Sequence, residues 1–153
     1  MNALLRLHRA TTRFDDCIAA LGGSVLLLVI RGYVGWQFFK AGLVKIQDWQ
    51  STLFLFRDEY QVPILPPDLA AVMGTGGELL FPALLFIGLF SRPAALGLFL
   101  MNAMAVLSYP ALFEFECPAA LNDHFYWGAL MLVLIAFGPG RISLDAWLGR
   151  QGR

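Results

Sequence analysis

The sequence predicts an all-α integral membrane protein, an up-down-up-down bundle of four helices with a short interfacial helix between the first two. Of its 153 residues, 58% are hydrophobic and only 14% are charged, whereas about 25% of a typical soluble domain is charged. A chain of this length keeps much of its surface exposed, so one soluble core cannot hide this much apolar surface. Apolar runs separated by charged or proline-rich connections supply the spans.

The first span is predicted at about residues 21–43, after a short amphipathic segment that contains three arginines. The run begins too late and is too long for the apolar part of a signal peptide, so we expect it to remain in the mature protein. A bilayer core needs roughly 20 apolar residues, and this run supplies them apart from Arg31. Arg31, Phe38 and Lys45 recur every seven residues, on one stripe of the helix that also carries two glycines.

Residues 47–61 interrupt the apolar pattern with charged and aromatic side chains. The segment is too short and too polar to span, so we expect a helix that lies at the membrane interface with its aromatic side chains directed inward. The prolines that follow it end the helix.

The second span, at about residues 68–90, is predicted to be kinked or irregular at Gly77 and Pro82. Pro82 lies four residues after Glu78 and cannot donate a hydrogen bond to its carbonyl. Irregular backbone at membrane depth is tolerated only where protein or a cavity covers it. We therefore expect Glu78 to lie beside such a covered region.

The third and fourth spans are predicted at about residues 93–113 and 121–137. A tight turn containing Arg92 precedes the third span, which carries Asn102, and an acidic loop follows it. A Gly-Pro-Gly stop ends the fourth span. No linker or change of composition divides the chain, so residues 1–153 are expected to form one domain.

Basic residues predict the orientation. One side of the bundle would hold seven arginines, whereas the other would hold only Lys45 and Arg57, with Lys40 at its boundary. The positive-inside rule places both termini and the turn at Arg92 in the cytoplasm. The interfacial segment and the acidic loop would then face outward.

Arg31, Glu78 and Asn102 are expected to meet near the middle of the membrane. At a rise of 1.5 Å per residue, Arg31 and Glu78 each lie about 15 Å from the point where their span begins, and Asn102 lies at a similar level. Arg31 and Glu78 form the expected charge pair. Two interpretations remain open: a neutralised pair that only locks the bundle, or a pocket or proton path that also includes Phe38.

At the outer ends of the spans, Lys45 is expected to extend toward the head groups, and Asp123 and His124 are expected to form an outer mouth. His124 and the glutamates and cysteine of the acidic loop match no known metal-ligand spacing, and the two cysteines form no CxxC pair. No metal site is predicted. A basic patch with interleaved aromatic residues is also absent from the sequence, so nucleic acid is not an expected partner.

Several short motifs occur together in an order that is characteristic of one family. They are Arg31-Gly32, Gly42-Leu-Val-Lys45, Gly77-Glu78, Gly88-Leu-Phe-Ser-Arg92-Pro, and Gly138-Pro-Gly140 followed by Ser143-Leu-Asp145. Across about residues 20–147 the chain resembles the DoxX family of small four-helix bacterial membrane proteins. Four further stretches are similar to a branch associated with copper- or stress-induced operons that make modified metal-binding peptides. They are Asp48-Trp49, Glu59-Tyr-Gln-Val-Pro63, Leu65-Pro-Pro67 and Ser108-Tyr-Pro110.

The resemblance implies a bacterial inner-membrane protein linked to redox complexes, since the family name comes from a subunit of a thiosulfate:quinone oxidoreductase. The chain has no CxxC, haem-ligand pair or nucleotide motif, so no intrinsic cofactor is expected. A quinone or a partner subunit would supply the electron chemistry, and the chain would be enzymatic only as part of a membrane oxidoreductase. Arg31 would then hold the quinone oxygen and Glu78 would relay protons.

Three functions remain open at this stage. The chain can be an accessory subunit of a quinone-linked or thiol- or metal-stress redox system, whose partners would include redox proteins or enzymes of metal-peptide biosynthesis. It can be a non-enzymatic anchor or stress-protection module. It can also be a carrier of small molecules, for which four helices are few and a homodimer would be expected.

Overall fold

The computed structural model describes residues 2–113 and 119–151. Its elements in chain order are α1 (Asn2–Gln47), α2 (Trp49–Phe54) continued by a π-helical turn (Leu55–Glu59), α3 (Pro67–Ile87), α4 (Ser91–Ser108), a 3-10 turn (Pro110–Phe113), α5 (Ala119–Phe137) and α6 (Leu144–Gln151). The described residues contain no strand. The predicted all-α class is confirmed.

Four of these helices form a closed ring. α1 packs against α3 and α5, and α4 packs against the same two helices on the opposite side. α1 and α3 are antiparallel, because Arg31 contacts Leu85 near the end of α3 whereas Lys45 contacts Glu78 nearer its beginning. The core residues are fully buried and come from all four helices: Val34, Leu85, Leu98, Met131 and Leu134.

The outer surface of the ring is apolar. Four segments of the described chain are long and apolar enough to cross a membrane, namely Leu21–Gln47, Pro67–Ile87, Ser91–Ser108 and Ala119–Phe137. Large apolar side chains on them face outward, and Leu107 and Phe137 are 75% and 74% exposed. Such exposure is unfavourable in water at about 25 cal/mol per Å², whereas lipid solvates it. The bundle is therefore a multi-pass membrane protein.

The segment after α1 folds back over the first turns of α3. Asp48 caps α2 by accepting from the Ser51 backbone N–H at 3.0 Å, and the hydrogen bonds from Ser51 hold the pKa of the Asp48 carboxyl below its usual range. Phe56 of the π-helical turn packs against Ala70 and Ala71. This packing covers the part of α3 that extends beyond the end of α1.

Two further contacts hold this segment in place. Arg57 donates from Nε and Nη2 to the two carboxylate oxygens of Asp68, both at 2.8 Å, and this pairing raises the pKa of the guanidinium. Tyr60 packs edge-on against Phe56 and Tyr109, and its burial raises the pKa of the phenol to about 12. Tyr60 is therefore neutral throughout the physiological pH range.

Candidate functional site

The predicted pair between Arg31 and Glu78 is wrong. Arg31 donates from Nη1 to the Leu85 carbonyl at 3.1 Å and from Nη2 to the Ile142 carbonyl, whereas Glu78 accepts from Lys45 Nζ at 2.5 and 2.6 Å. Arg31 is level with the last turn of α3, and Glu78 lies seven residues earlier, which is about 10 Å along the helix. The structure therefore contains separate polar sites in place of one mid-membrane cluster.

The first polar site, which we call the arginine junction, consists of Arg31, Leu85, Gly88, Ile142 and Asp145. The Leu85 carbonyl belongs to the last turn of α3, where it also accepts from the Gly88 N–H at 3.2 Å and where a cation is favourable. Arg31 is only 1% exposed, so its charge faces protein and not lipid. Its guanidinium joins α1 to the end of α3 and to the turn after α5.

Asp145 completes the arginine junction. Its carboxylate oxygens accept from the Phe90 and Ser91 backbone N–H groups, both at 2.9 Å, and thereby cap the start of α4. Its own N–H donates to the Gly88 carbonyl at 2.9 Å, and its charge interacts with that of Arg31. Three motifs that carry the family resemblance thus form one structural unit.

Gly88 is required for the close approach at this junction. It ends α3 in the left-handed region with φ of 69°, and a Cβ at this position would overlap the Arg31 guanidinium and Ser143. We expect Gly88→Ala to lower the free energy of unfolding by about 2 kcal/mol, measured by chemical unfolding in mixed micelles. Gly76→Ala, also on α3 but with open space around it, is the matched control and should leave stability unchanged or raise it slightly.

The second polar site is the ion pair of Lys45 and Glu78, whose side chains are only 13% and 15% exposed. The expectation that Lys45 extends to the head groups is wrong, because the side chain turns inward to this carboxylate. Gly42 allows the contact, since a Cβ there would lie 2.9 Å from the Leu79 side chain and 3.1 Å from that of Glu78. Thr52 Oγ1 donates to the Lys45 carbonyl at 2.9 Å and ties α2 to the same site.

The third polar site is the hydrogen-bonded pair of Asn102 and His124. Asn102 Nδ2 donates to the His124 carbonyl at 2.9 Å, and Asn102 Oδ1 lies 2.7 Å from His124 Nδ1. A carbonyl can only accept, so the amide atom beside it is the nitrogen and the amide oxygen faces the ring. His124 Nδ1 therefore carries the hydrogen, which leaves Nε2 of the neutral imidazole as an acceptor.

A groove of about 480 Å³ lies between α4 and α5 beside this pair. Asn102 and His124 are its polar wall, and the other lining residues are apolar, among them Phe99. Gly128 lies beside the pair, where a Cβ would be in ordinary van der Waals contact with Asn102 Nδ2 at 3.6 Å. Phe125 at its edge is 65% exposed, so the groove opens toward the acyl chains of the membrane.

The remaining predicted site residues lie apart from this groove. Phe38 is buried edge-on against Trp127, and Gly77 lies where a Cβ would overlap the Met101 side chain. α3 is a continuous α-helix through Pro82, so the irregular backbone expected there is not present and a kink remains a prediction. Asp123 is exposed near the start of α5.

No group of three metal-ligating side chains occurs within the described part of the chain. Three residues of the acidic loop, considered with His124 as metal ligands, lie outside the described residues. They are Glu114, Glu116 and Cys117. Besides the partners of Arg31 and of Glu78, sequence reasoning missed the contacts of Asp145 and the pair of His124 and Asn102. The Ser-Leu-Asp motif was the available signal for Asp145, since aspartate commonly accepts from backbone N–H groups at helix starts.

The fold and these sites define a class of protein: a small four-span membrane bundle locked at one end by a buried arginine. The DoxX family model matches residues 26–111, more than half of the chain, and the chain belongs to the DoxX family. The chain is also 32% identical over 136 residues to an uncharacterized protein of Haemophilus influenzae strain Rd, covering 85% of this chain and 88% of that protein. No solved structure matches the chain.

Proposed function

We propose that this protein is an inner-membrane accessory subunit of a redox system, one that is either quinone-linked or part of the response to thiol or metal stress. We further propose that the groove between α4 and α5 receives the quinone. Both termini would lie in the cytoplasm, because the arginine-rich end of the bundle carries most of the basic residues. The observation that carries the proposal is one polar pair, Asn102 and His124, on the wall of an otherwise apolar groove.

The groove has the two properties that a lipid-soluble ring compound requires. Its apolar lining and lateral opening suit an isoprenoid-substituted ring that arrives from the bilayer, and apolar pockets with a few oriented polar groups are typical of small-molecule sites. The acceptor at His124 Nε2 suits the hydroxyl of a reduced quinone, which can donate a hydrogen bond there. Asn102 holds the ring in the required tautomer through its contact with Nδ1.

The chemistry of this site is binding and proton acceptance. When a hydroquinone is oxidised it loses two electrons and two protons. The electrons would pass to a cofactor of a partner oxidoreductase. His124 Nε2 would take the first proton from the hydroxyl that it binds, and the second proton would pass to water. Arg31 and Glu78, the residues first expected to do this work, are instead bonded to other groups of the chain.

We expect His124→Phe to weaken the binding of a short-chain hydroquinone by about five- to tenfold, the effect of losing one hydrogen bond. The measurement is an anaerobic titration of decylubiquinol into the purified protein in nanodiscs, followed by tryptophan fluorescence. Ala129→Phe, which fills the groove without removing a polar group, should abolish binding.

Tyr126→Phe is the matched control, since Tyr126 is on the same helix, is 65% exposed and does not line the groove. It should bind like the wild type. Absence of saturable hydroquinone binding to the wild type, or binding that is unchanged in both groove variants, would contradict the proposal.

A second candidate is a non-enzymatic anchor or stress-protection module. The observation that favours it is the pairing of both buried cations of α1, Arg31 with two carbonyls and Lys45 with Glu78, within the chain itself. Such internal pairing serves the stability of the bundle and engages both charged groups within the chain. This candidate predicts that the hydroquinone titration shows no saturable binding, while the protein remains folded.

A further inference from the structure

A second cavity lies at the opposite end of the bundle from the interfacial segment. It is a pocket of about 570 Å³ between the start of α4 and the turn that joins α5 to α6. Ser91 and Arg92 line it from α4, and Arg141 and Asp145 line it from the turn and α6. It is distinct from the groove between α4 and α5, so an inference about it does not depend on the proposed function.

The pocket carries an excess of positive charge. Neither Arg92 nor Arg141 forms an ion pair with another described residue. Among the described residues, the Arg92 side chain donates to the Ala136 carbonyl alone, at 3.3 Å. Asp145 is the one carboxylate of the lining, and its two oxygens already accept from the Phe90 and Ser91 backbone. Two guanidinium groups thus remain available to an anion.

Ser91 provides an independent indication of a ligand. The residue is 1% exposed, and its hydroxyl oxygen is buried with no hydrogen-bond partner among the described residues. A buried hydroxyl without a partner is unfavourable, and a ligand oxygen in the adjoining pocket would satisfy it. One hydroxyl and two guanidinium groups fit a phosphate, which accepts several charge-assisted hydrogen bonds.

The apolar rim of the pocket indicates where such a phosphate comes from. Phe90 and Phe137 line it and are 62% and 74% exposed, and both lie at the ends of membrane-spanning segments. A phosphate that also carries acyl chains would place those chains against these rings. We propose that this pocket binds the head group of an anionic phospholipid, with Arg92 and Arg141 on the phosphate and the Ser91 hydroxyl donating to one of its oxygens.

The experiment measures lipid retention by the full-length protein. The protein is purified in nanodiscs of phosphatidylcholine that contain one-fifth phosphatidylglycerol. Native mass spectrometry then releases the protein from the nanodisc and quantifies the phosphatidylglycerol that remains bound to it. Wild-type protein should retain one phosphatidylglycerol per chain in preference to phosphatidylcholine. The double variant Arg92→Gln/Arg141→Gln should retain about thirtyfold less, since each of the two basic residues contributes about 1 kcal/mol to anionic-lipid binding.

Two further variants make the outcome decisive. Ser91→Ala keeps the charge and should reduce retention about threefold or more. Arg150→Gln removes one positive charge at the same end of the molecule but outside the pocket, and should retain the lipid like the wild type. An equal loss of bound phosphatidylglycerol in Arg150→Gln, or unchanged retention in both pocket variants, would overturn the proposal. It would also be overturned if inorganic phosphate stabilised the wild-type protein against unfolding as much as phosphatidylglycerol does.

Discussion

Replacing Lys45 by methionine is expected to lower the free energy of unfolding by about 3–5 kcal/mol, because it leaves the Glu78 carboxylate buried without its partner. Both side chains are less than one-sixth exposed, so water cannot substitute for the missing ammonium group. Unfolding in mixed micelles, followed by tryptophan fluorescence, gives the value.

The double variant Lys45→Met/Glu78→Gln is the control for this prediction. It removes both charges together and should recover most of the lost stability, since a buried pair replaced as a whole is close to neutral. Lys40→Met, which changes an exposed lysine of the same helix, should stay within about 0.5 kcal/mol of the wild type. If the Lys45→Met protein is as stable as the Lys40→Met protein, the pair of Lys45 and Glu78 does not stabilise the fold.

Replacing Arg31 by methionine is expected to lower the free energy of unfolding by about 3 kcal/mol. The Ile142 carbonyl would lose its charged donor, and the Leu85 carbonyl would keep only the Gly88 N–H at 3.2 Å. A hydrogen bond to a charged group contributes about 1.5–3 kcal/mol. Arg31→Lys should recover only part of the loss, because a single ammonium group cannot reproduce the planar fork that bonds both carbonyls. The same unfolding measurement applies.

Arg150→Met is the matched control for Arg31. Arg150 lies on α6 at the same end of the protein, is exposed, and also donates to backbone carbonyls. Because solvent can replace its hydrogen bonds, its loss should change stability by less than about 1 kcal/mol. If Arg31→Met behaves like Arg150→Met, the arginine junction does not hold the helices together.

The fold followed from composition and from the lengths of the apolar runs, because a chain with so few charges and four such runs has few alternatives in a bilayer. That Arg31 would face protein also followed, since an unpaired charge in lipid is costly. The partners of Arg31 could not be predicted in this way. The depth estimate took Leu21 as the start of the membrane, yet α1 is continuous from Asn2 to Gln47, so residue numbers alone do not give the depth.

Helix register is set by packing that a sequence does not display. Gly35 lies against Phe86, and Gly42 lies against Leu79. These two contacts place Lys45, rather than Arg31, within reach of Glu78. The partners Ile142 and Asp145 come from the turn after the fourth span and from α6, where the sequence predicted no partner for Arg31.

The depth of Asn102 in the membrane could be estimated from the sequence, but its hydrogen-bond partner could not. His124 was interpreted as an interfacial residue at the outer mouth, and only the packing of α4 against α5 brings its ring to the amide. The groove beside the pair depends on the spacing of α4 and α5, and hydrophobic periodicity does not give that spacing.

The central claim of this account is that the buried charges of the bundle form separate sites, with Glu78 bonded to Lys45 and not to Arg31. A pair of double-mutant cycles tests it most directly, using unfolding free energies of the Met and Gln single variants and their combinations. We predict a coupling of at least about 2 kcal/mol between Lys45 and Glu78, and less than about 0.5 kcal/mol between Arg31 and Glu78. A large coupling for Arg31 with Glu78, or none for Lys45 with Glu78, would contradict the account.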